Sequence, residues 1–182
     1  VPDEGEVIKA SNMMIHYLPQ NPKFNDGDTV LESVQNMIHH HANENELVKA
    51  KSMMTRLGIT DFEQKTGELS GGQRKRLALV SVLITPCDIL ILDEPTNHLD
   101  SEMAQWLENQ LKAFKGALVM VTHDRYFLDS VTNLIIELDK GKIYSYDEKY
   151  SGFLQRKAER EDSVKASERK RQSILRKEIE WM

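Results

Sequence analysis

The sequence predicts an α/β fold built around a parallel sheet, and three features lead to that prediction. Two apolar runs, 89–92 and 118–121, have the length and composition of buried strands. The segment between them, 101–114, has apolar residues at helical spacing. A strand, a helix and a second strand in this order form a crossover between parallel strands, which is nearly always right-handed.

The elements before this crossover are predicted from the same patterns. Strands are expected at 6–10 and 13–18, the second ending at the breaker Pro-Gln-Asn-Pro of 19–22. Apolar residues at helical spacing then predict two helices between 29 and 57, with Gly58 closing the second. A further helix is expected to begin at Gln73 and to end near Leu83.

The elements after the crossover are shorter, except for the last. A short helix over 126–130 leads to two strands, 134–138 and 143–146, joined by a turn at 139–141. From Gly152 onward the sequence is dominated by Arg, Lys and Glu, which predicts a solvated helix.

Composition sets limits on the class of protein. The 182 residues suffice for one domain and an appendage, and 40% of them are hydrophobic. The sequence contains no apolar run of the roughly 20 residues that a membrane span needs and no signal-peptide pattern, so we expect a cytoplasmic location. Residues 151–182 carry a net charge of +3 (9 − 6), whereas residues 1–150 carry −8 (15 − 23), which suggests different partners for the two parts.

The sequence LSGGQRKR at 69–76 is a candidate phosphate-binding element. Ser70, Gly71 and Gly72 offer a hydroxyl and approachable backbone N–H groups, and the helix expected from Gln73 adds the positive end of its dipole. A plain loop before a helix would have the same local sequence, so the interpretation depends on the residues that follow.

Polar residues follow both strands of the crossover. Asp93 and Glu94 come directly after the first strand, and His123 follows the second. Because ligands in parallel α/β sheets bind beyond the carboxyl ends of the strands, we expect these side chains to converge on one crevice. Carboxylates beside a phosphate site are typical of a bound metal ion.

With these motifs in order, the chain resembles the nucleotide-binding domain of ABC ATPases over nearly its whole length. The matching residues are Gln20 for the Q-loop, LSGGQ at 69–73 for the signature, 89–93 for the Walker B strand, Glu94 for the catalytic carboxylate, NHLD at 97–100 for the D-loop and His123 for the switch histidine. The resemblance implies a P-loop NTPase-like fold, with ATP and Mg²⁺ as cofactors.

Within that superfamily, three segments are similar to the ABC-F branch, especially to Uup-like proteins. They are DEPTNHLD at 93–100, THDRYFLD at 122–129 and the charged helix ending in RKEIEWM. This similarity implies two nucleotide-binding domains in one chain, no membrane domain, and action at the ribosome or on RNA. By the same similarity, 1–150 is a partial ABC domain with a helical subdomain at about 29–84, and 151–182 begins an interdomain linker.

The resemblance also implies roles for the site residues. Ser70, Gly71, Gly72 and Gln73 would contact the phosphates of a nucleotide held by the second domain, and Asp100 would link the two composite sites.

On the hydrolytic side, Asp93 would hold Mg²⁺ through water, and Gln20 would sense the metal and the attacking water. Glu94 would polarise that water, and His123 would stabilise the departing γ-phosphate by donating to it.

One element of the family pattern is absent from the 182 residues. No G-x-x-x-x-G-K-[ST] phosphate loop occurs in them. We interpret the chain as an internal fragment whose phosphate loop lies upstream, although natural loss of the loop is left open. On this interpretation, the 182 residues alone should be of limited stability and neither bind a nucleotide tightly nor hydrolyse ATP.

Several alternatives remain open at this point. The protein could be the ATP-binding subunit of a membrane transporter, or a non-catalytic interaction module. The three histidines at 39–41 could hold a metal, although a solvated helix end is the favoured interpretation. The basic residues at 169–171 and 176–177 could contact RNA or form a solvated face. Only 49 residues (70 − 20 − 1) separate Gln20 from Ser70, which leaves little room for the inserted arm of some ABC-F proteins.

Overall fold

The computed structural model describes residues 4–38 and 44–180, so the three histidines at 39–41 lie outside the described residues. The chain divides into two compact units, Val1–Asp124 and Arg125–Met182. Each is described by itself. The predicted domain limit at residue 150 concerns the organisation of the family and stays a prediction.

The first unit is built on a three-stranded parallel sheet. Its strands are β1 (Ile15–Leu18), β2 (Ile89–Asp93) and β3 (Ala117–Val121), in the order β1-β2-β3. Leu92 lies opposite Leu18 on one side and Met120 on the other. The helix α4 (Ser101–Ala113) connects β2 to β3, which confirms the predicted crossover.

Three helices of the first unit precede β2. They are α1 (Val30–Met37), α2 (Glu44–Arg56) and α3 (Gly71–Ile84). Gly58 adopts a φ of +72°, as a glycine that closes a helix does, and Leu77 and Ile84 are buried on α3. The helix α3 begins at Gly71, two residues before the predicted start, because Ser70 caps it.

The prediction of a strand at 6–10 is wrong. This segment forms no regular element, Val7 and Ile8 are exposed, and β1 begins only at Ile15. The β-branched residues Val7 and Ile8 give this segment the propensity for a strand, but a strand also needs a neighbour to pair with. The segment from Met14 gains that neighbour, because the backbone N–H of Ile89 donates to the Met14 carbonyl at 3.1 Å.

The prediction that β2 is buried on both faces holds for one face only. Leu90 and Leu92 are fully buried, whereas Ile89 and Ile91 are half-buried. Tyr17 of β1 and Val119 of β3 are paired with Ile91 and are exposed. Successive side chains of a strand point to opposite faces, so this face of the sheet is apolar and open in the described part of the chain.

The second unit contains a short helix, a hairpin and a long helix. They are α5 (Arg125–Val131), the antiparallel strands β4 (Ile135–Asp139) and β5 (Lys142–Tyr146), and α6 (Tyr150–Glu180). Lys140 and Gly141 both have positive φ, which suits a two-residue hairpin turn. Phe153 packs edge-on against Tyr146 at 5.0 Å, while most described side chains of α6 are exposed, as predicted for a solvated helix.

Candidate functional site

Glu94 is a buried carboxylate held in a strained backbone conformation at the end of β2. Its φ is +50°, a left-handed value that costs a side-chain-bearing residue energy and is found mainly at functional sites. The residue is only 6% exposed. Its N–H donates to the Val121 carbonyl at 2.8 Å, which ties it to the end of β3.

His123 lies beside Glu94, as the sequence predicted from the ends of two neighbouring strands. The His123 backbone N–H donates to Glu94 Oε2 at 3.4 Å, and its ring nitrogen Nε2 lies 3.3 Å from Glu94 Oε1. That second pair lies within ion-pair distance, yet Oε1 is buried and has no hydrogen-bond partner. The His123 side chain itself is 96% exposed. A buried acceptor therefore meets an accessible imidazole here.

The main chains of Gln20 and Asp93 are linked through one side chain, that of Lys75. Both carbonyl oxygens accept hydrogen bonds from Nζ of Lys75, at 3.3 Å for Gln20 and 2.5 Å for Asp93. The Pro19 carbonyl accepts a third bond from the same nitrogen at 2.8 Å. The loop after β1 and the end of β2 are thus joined by one cation from α3.

Lys75 is the important residue that sequence reasoning missed. In the sequence it is one member of the triplet Arg74-Lys75-Arg76, and nothing in that pattern separates it from its neighbours. In the structure it is only 4% exposed. Burial lowers the pKa of its ammonium group, and the negative charges of Asp93 and Glu94 oppose that shift.

The start of α3 is a capping box. The Ser70 hydroxyl accepts from the Gln73 N–H at 3.3 Å, and the Gln73 side chain accepts from the Ser70 N–H at 3.0 Å. A Cβ added to Gly71 would meet nothing within 4 Å, so the backbone there is approachable. The 14-residue helix adds the positive end of its dipole at this point.

The start of α3 is also in contact with the loop that contains Asp100. A Cβ at Gly72 would lie 3.1 Å from His98 Cβ, and Arg76 donates to the His98 carbonyl at 3.0 Å. Asp100 caps α4 by accepting from the Met103 N–H at 2.8 Å. The predicted residues thus fall into two sets, one around Glu94 and His123 and one around Ser70, Gly72 and Asp100.

The carboxylates at the end of β2 are compatible with Mg²⁺, although not as a site made by protein ligands alone. Within residues 4–38 and 44–180, no cluster of three or more His, Cys, Asp or Glu side chains could hold a metal. Mg²⁺ is usually held by one or two carboxylates together with waters and substrate phosphates. Asp93 and Glu94 fit that pattern, and the unpartnered Oε1 of Glu94 leaves an acceptor for a water molecule.

The fold and the site define an ATP-binding domain of the P-loop NTPase class. The sequence matches the family described as "ABC transporter" over residues 2–97, which is 96 (97 − 2 + 1) of the 182 residues. The chain therefore belongs to the ABC transporter family. None of the described helices combines the length and the apolar character that crossing a membrane requires.

Curated relatives match nearly the whole chain. It is 38% identical to the uncharacterized ABC transporter ATP-binding protein YfmR of Bacillus subtilis, with 99% of this chain and 34% of that protein covered. It is 34% identical to the energy-dependent translational throttle protein EttA of Escherichia coli (strain K12), with 98% of this chain and 39% of that protein covered. The chain thus spans between a third and two fifths of the length of these relatives.

Solved structures share the fold. The complex of archaeal ribosomal stalk protein aP1 and the archaeal ribosome recycling factor aABCE1 matches 80% of this chain and 28% of the matched chain, with a TM-score of 0.61 and 28% identity. An ATP binding subunit of an ABC transporter matches 74% of this chain and 59% of its own, with a TM-score of 0.66. Its 17% identity indicates a common fold and nothing further.

Proposed function

We propose that these residues belong to an ABC-F type ATPase that couples ATP binding and hydrolysis to the ribosome or to RNA. Two similarities support the proposal. EttA is described as a translational throttle protein, and the EttA of Mycobacterium tuberculosis (strain H37Rv) is 46% identical over 71% of this chain and 23% of its own. The archaeal recycling factor is described in complex with a ribosomal stalk protein. A ribosomal partner would also place the protein in the cytoplasm.

The hydrolytic role rests on one observation, the buried Glu94 carboxylate with an unpartnered oxygen beside an accessible histidine. A carboxylate in this position can accept a hydrogen bond from a water molecule and orient it for attack. The exposed His123 ring can donate to the phosphoryl group as charge develops on it. The strained backbone of Glu94 supports a function, since structural carboxylates rarely need it.

Bound Mg²⁺–ATP would supply the γ-phosphoryl group and the cation that neutralises its charge. Asp93 would hold the cation through water, since Mg²⁺ usually keeps several of its waters and is bound by only one or two carboxylates. Gln20 would respond to the cation and to the water.

The start of α3 would contact a nucleotide held by a second nucleotide-binding domain. Gly71 leaves the backbone open there, Gly72 brings the helix close to the loop at 97–100, and Ser70 and Gln73 hold each other in the capping box. Asp100 at the end of that loop would link the two composite sites. We further propose the division into a partial ABC domain at 1–150, with a helical subdomain at about 29–84, and a linker from 151.

Two finer features are also proposals. Only 49 residues (70 − 20 − 1) lie between Gln20 and Ser70, which supports a protein with little or no inserted arm between them. Because the 182 residues contain no phosphate-loop sequence, we expect them to show negligible ATPase activity by themselves. The Uup-like grouping within ABC-F stays a prediction.

The variant Glu94→Gln tests the hydrolytic role. In the native polypeptide that carries these residues, we expect ATP binding to persist while hydrolysis at this site falls about 10²-fold to 10⁴-fold, the usual contribution of a positioned acid–base group. Single-turnover hydrolysis and binding of a fluorescent ATP analogue would measure the two effects. The matched control is Glu102→Gln on α4, where the side chain is 86% exposed. Equal turnover in the two variants would refute the role of Glu94.

The same variant tests the partner. Held in its ATP-bound state, Glu94→Gln protein should co-sediment with ribosomes, and this binding should weaken strongly as salt is raised if basic residues contact RNA. Co-purification with a membrane-spanning protein, and not with ribosomes, would instead favour the transporter subunit. A chain that neither binds nor hydrolyses ATP in its native form would point to the non-catalytic interaction module.

A further inference from the structure

Lys75 joins two backbone segments beside the proposed hydrolytic site, the loop after β1 and the end of β2. Its nitrogen donates to the carbonyls of Pro19, Gln20 and Asp93, which lie 56, 55 and 18 residues away in the sequence. We propose that Lys75 is a positioning residue that sets Glu94 and the Gln20 loop in register for hydrolysis. This inference rests on the proposed ATPase function. It adds a positioning role for Lys75, which is not among the residues that we propose to contact the nucleotide, the cation or the water.

The hydrogen bonds of Lys75 are complete. A protonated lysine has three N–H donors, and three carbonyl oxygens accept them here. A buried cation is stable only when its donors are satisfied, and losing acceptors in a buried setting is costly. The three hydrogen bonds therefore fix the position of the ammonium group, and the ammonium group in turn fixes the positions of the three carbonyl groups relative to each other.

The Asp93–Glu94 peptide shows how the cation acts on the carboxylate. Its C=O group accepts from Lys75, and its N–H group donates to the Val121 carbonyl. Both ends of one peptide unit are thereby held, which fixes the rotation of the peptide plane. A rotation of that plane changes ψ of Asp93 and φ of Glu94 together, so the φ of +50° at Glu94 would relax toward ordinary values if one end were released.

Lys75 holds the loop after β1 in the same way. Pro19 and Gln20 are consecutive residues, and the ammonium nitrogen of Lys75 donates a hydrogen bond to the carbonyl oxygen of each. β1 and β2 are neighbouring parallel strands. A cation bound to the backbone at the carboxyl ends of both strands therefore keeps the loops that follow them at a fixed separation.

Lys75 also connects these loops to the start of α3. It lies one helical turn after Gly71, the first residue of the helix. Any movement of the helix start during closure on a nucleotide would therefore be passed to the peptide before Glu94. The flanking cations contact other segments, since Arg74 donates to Asp26 at 3.0 Å and Arg76 donates to the His98 carbonyl.

The central test replaces Lys75 by methionine, which keeps most of the side chain's shape and removes its donors. In the native polypeptide we expect kcat to fall about 10-fold to 10²-fold with little change in KM for ATP, because a misplaced reacting group costs on that order. Lys75→Arg keeps donors and charge and should retain more activity than Lys75→Met. The matched control is Lys112→Met on α4, where the lysine is half exposed and pairs with Glu108 in its own helix.

A second measurement is independent of activity. In nucleotide-free protein, Lys75→Met should speed backbone hydrogen exchange at Gln20, Asn21, Glu94, Thr96 and Asn97 and leave the end of α3, 79–84, unchanged. A uniform increase along α3 would show that Lys75 only supports the helix and would overturn the inference. If the methionine variant fails to fold, Lys75→Gln, which keeps an amide donor, must give the same local pattern or the inference is wrong.

A double-mutant cycle separates this inference from the proposed function. If Lys75 acts through Glu94, then Glu94→Gln should reduce turnover far less in the Lys75→Met background than in the native one. Loss of turnover in Glu94→Gln together with native turnover and exchange in Lys75→Met would refute the role of Lys75 and leave the function standing. Native turnover in Glu94→Gln would refute the function, and local exchange would then still decide whether Lys75 holds the two loops.

Discussion

The two glycines at the start of α3, Gly71 and Gly72, provide a matched pair of substitutions. Both lie in the first turn of α3, and both have a backbone conformation that alanine can adopt. A Cβ at Gly71 would meet nothing within 4 Å, whereas a Cβ at Gly72 would lie 3.1 Å from His98 Cβ and 3.4 Å from His98 Cγ. The same chemical change is therefore made once into open space and once against the loop at 97–100.

The expected energies follow from these distances. Replacing glycine by alanine inside a helix stabilises it by up to about 1 kcal/mol, and we take roughly half of that for a first-turn position. Carbon atoms pack best at about 3.5–4.0 Å, so the Gly72 methyl group is too close by roughly 0.4 Å or more, and overpacking costs about 1–3 kcal/mol. Gly71→Ala should thus stabilise by about 0.5 kcal/mol, and Gly72→Ala should destabilise by about 0.5–2.5 kcal/mol.

Equilibrium unfolding in urea, without nucleotide, measures the difference between the two variants. Hydrogen exchange at 97–100 adds a local readout, because His98 has a positive φ and its carbonyl bond to Arg76 should open when the loop is pushed away. We expect faster exchange there in Gly72→Ala only. Equal stabilities and equal exchange in both variants would refute the contact between the start of α3 and the loop at 97–100.

Two further predictions concern a helix cap and the half-buried ion pair of Glu137 with Lys157. Asp100→Ala removes the acceptor for the Met103 N–H and should cost about 1 kcal/mol in urea unfolding, whereas Asp100→Asn should keep most of it; equal loss in both would contradict the cap. The pKa of the Glu137 carboxyl group is held below its usual 4.5, mainly by the hydrogen bond from Lys157. The stabilisation that the carboxylate provides is therefore fully present above the unfolded-state pKa of 4.5. It is lost as the pH falls through the lower pKa of the folded state. Glu137→Gln should cost on the order of 1 kcal/mol at pH 7, and the difference from the native protein should shrink in unfolding measured below about pH 4; a difference independent of pH would contradict this assignment.

The sequence was sufficient for the parts of the fold that depend on periodicity and on strand ends. The apolar runs of β2 and β3 and the helical spacing of α4 predict a parallel crossover, and the crossover brings the ends of its strands together. The proximity of Glu94 and His123 follows from that geometry. The segment at 6–10 shows the limit of the method, since a high strand propensity cannot reveal whether a partner strand exists.

Backbone contacts account for most of what could not be predicted. Every residue has a carbonyl oxygen, so no residue type marks Pro19, Gln20 or Asp93 as acceptors for a lysine. The positive φ of Glu94 is equally hidden, because such a conformation usually leads one to expect glycine or asparagine and not glutamate. Both features are imposed by tertiary contacts and become visible only with coordinates.

The three cations after LSGGQ also bear on the phosphate binding that we propose at α3. Arg74 donates to Asp26 and to the Gly67 carbonyl, Lys75 donates to three carbonyls, and Arg76 donates to the His98 carbonyl. Donors used in this way hold the surrounding loops against the helix. A phosphate approaching Gly71 would therefore be bound by backbone N–H groups and the helix dipole, and the cations would make the helix start rigid enough to transmit that binding to Glu94.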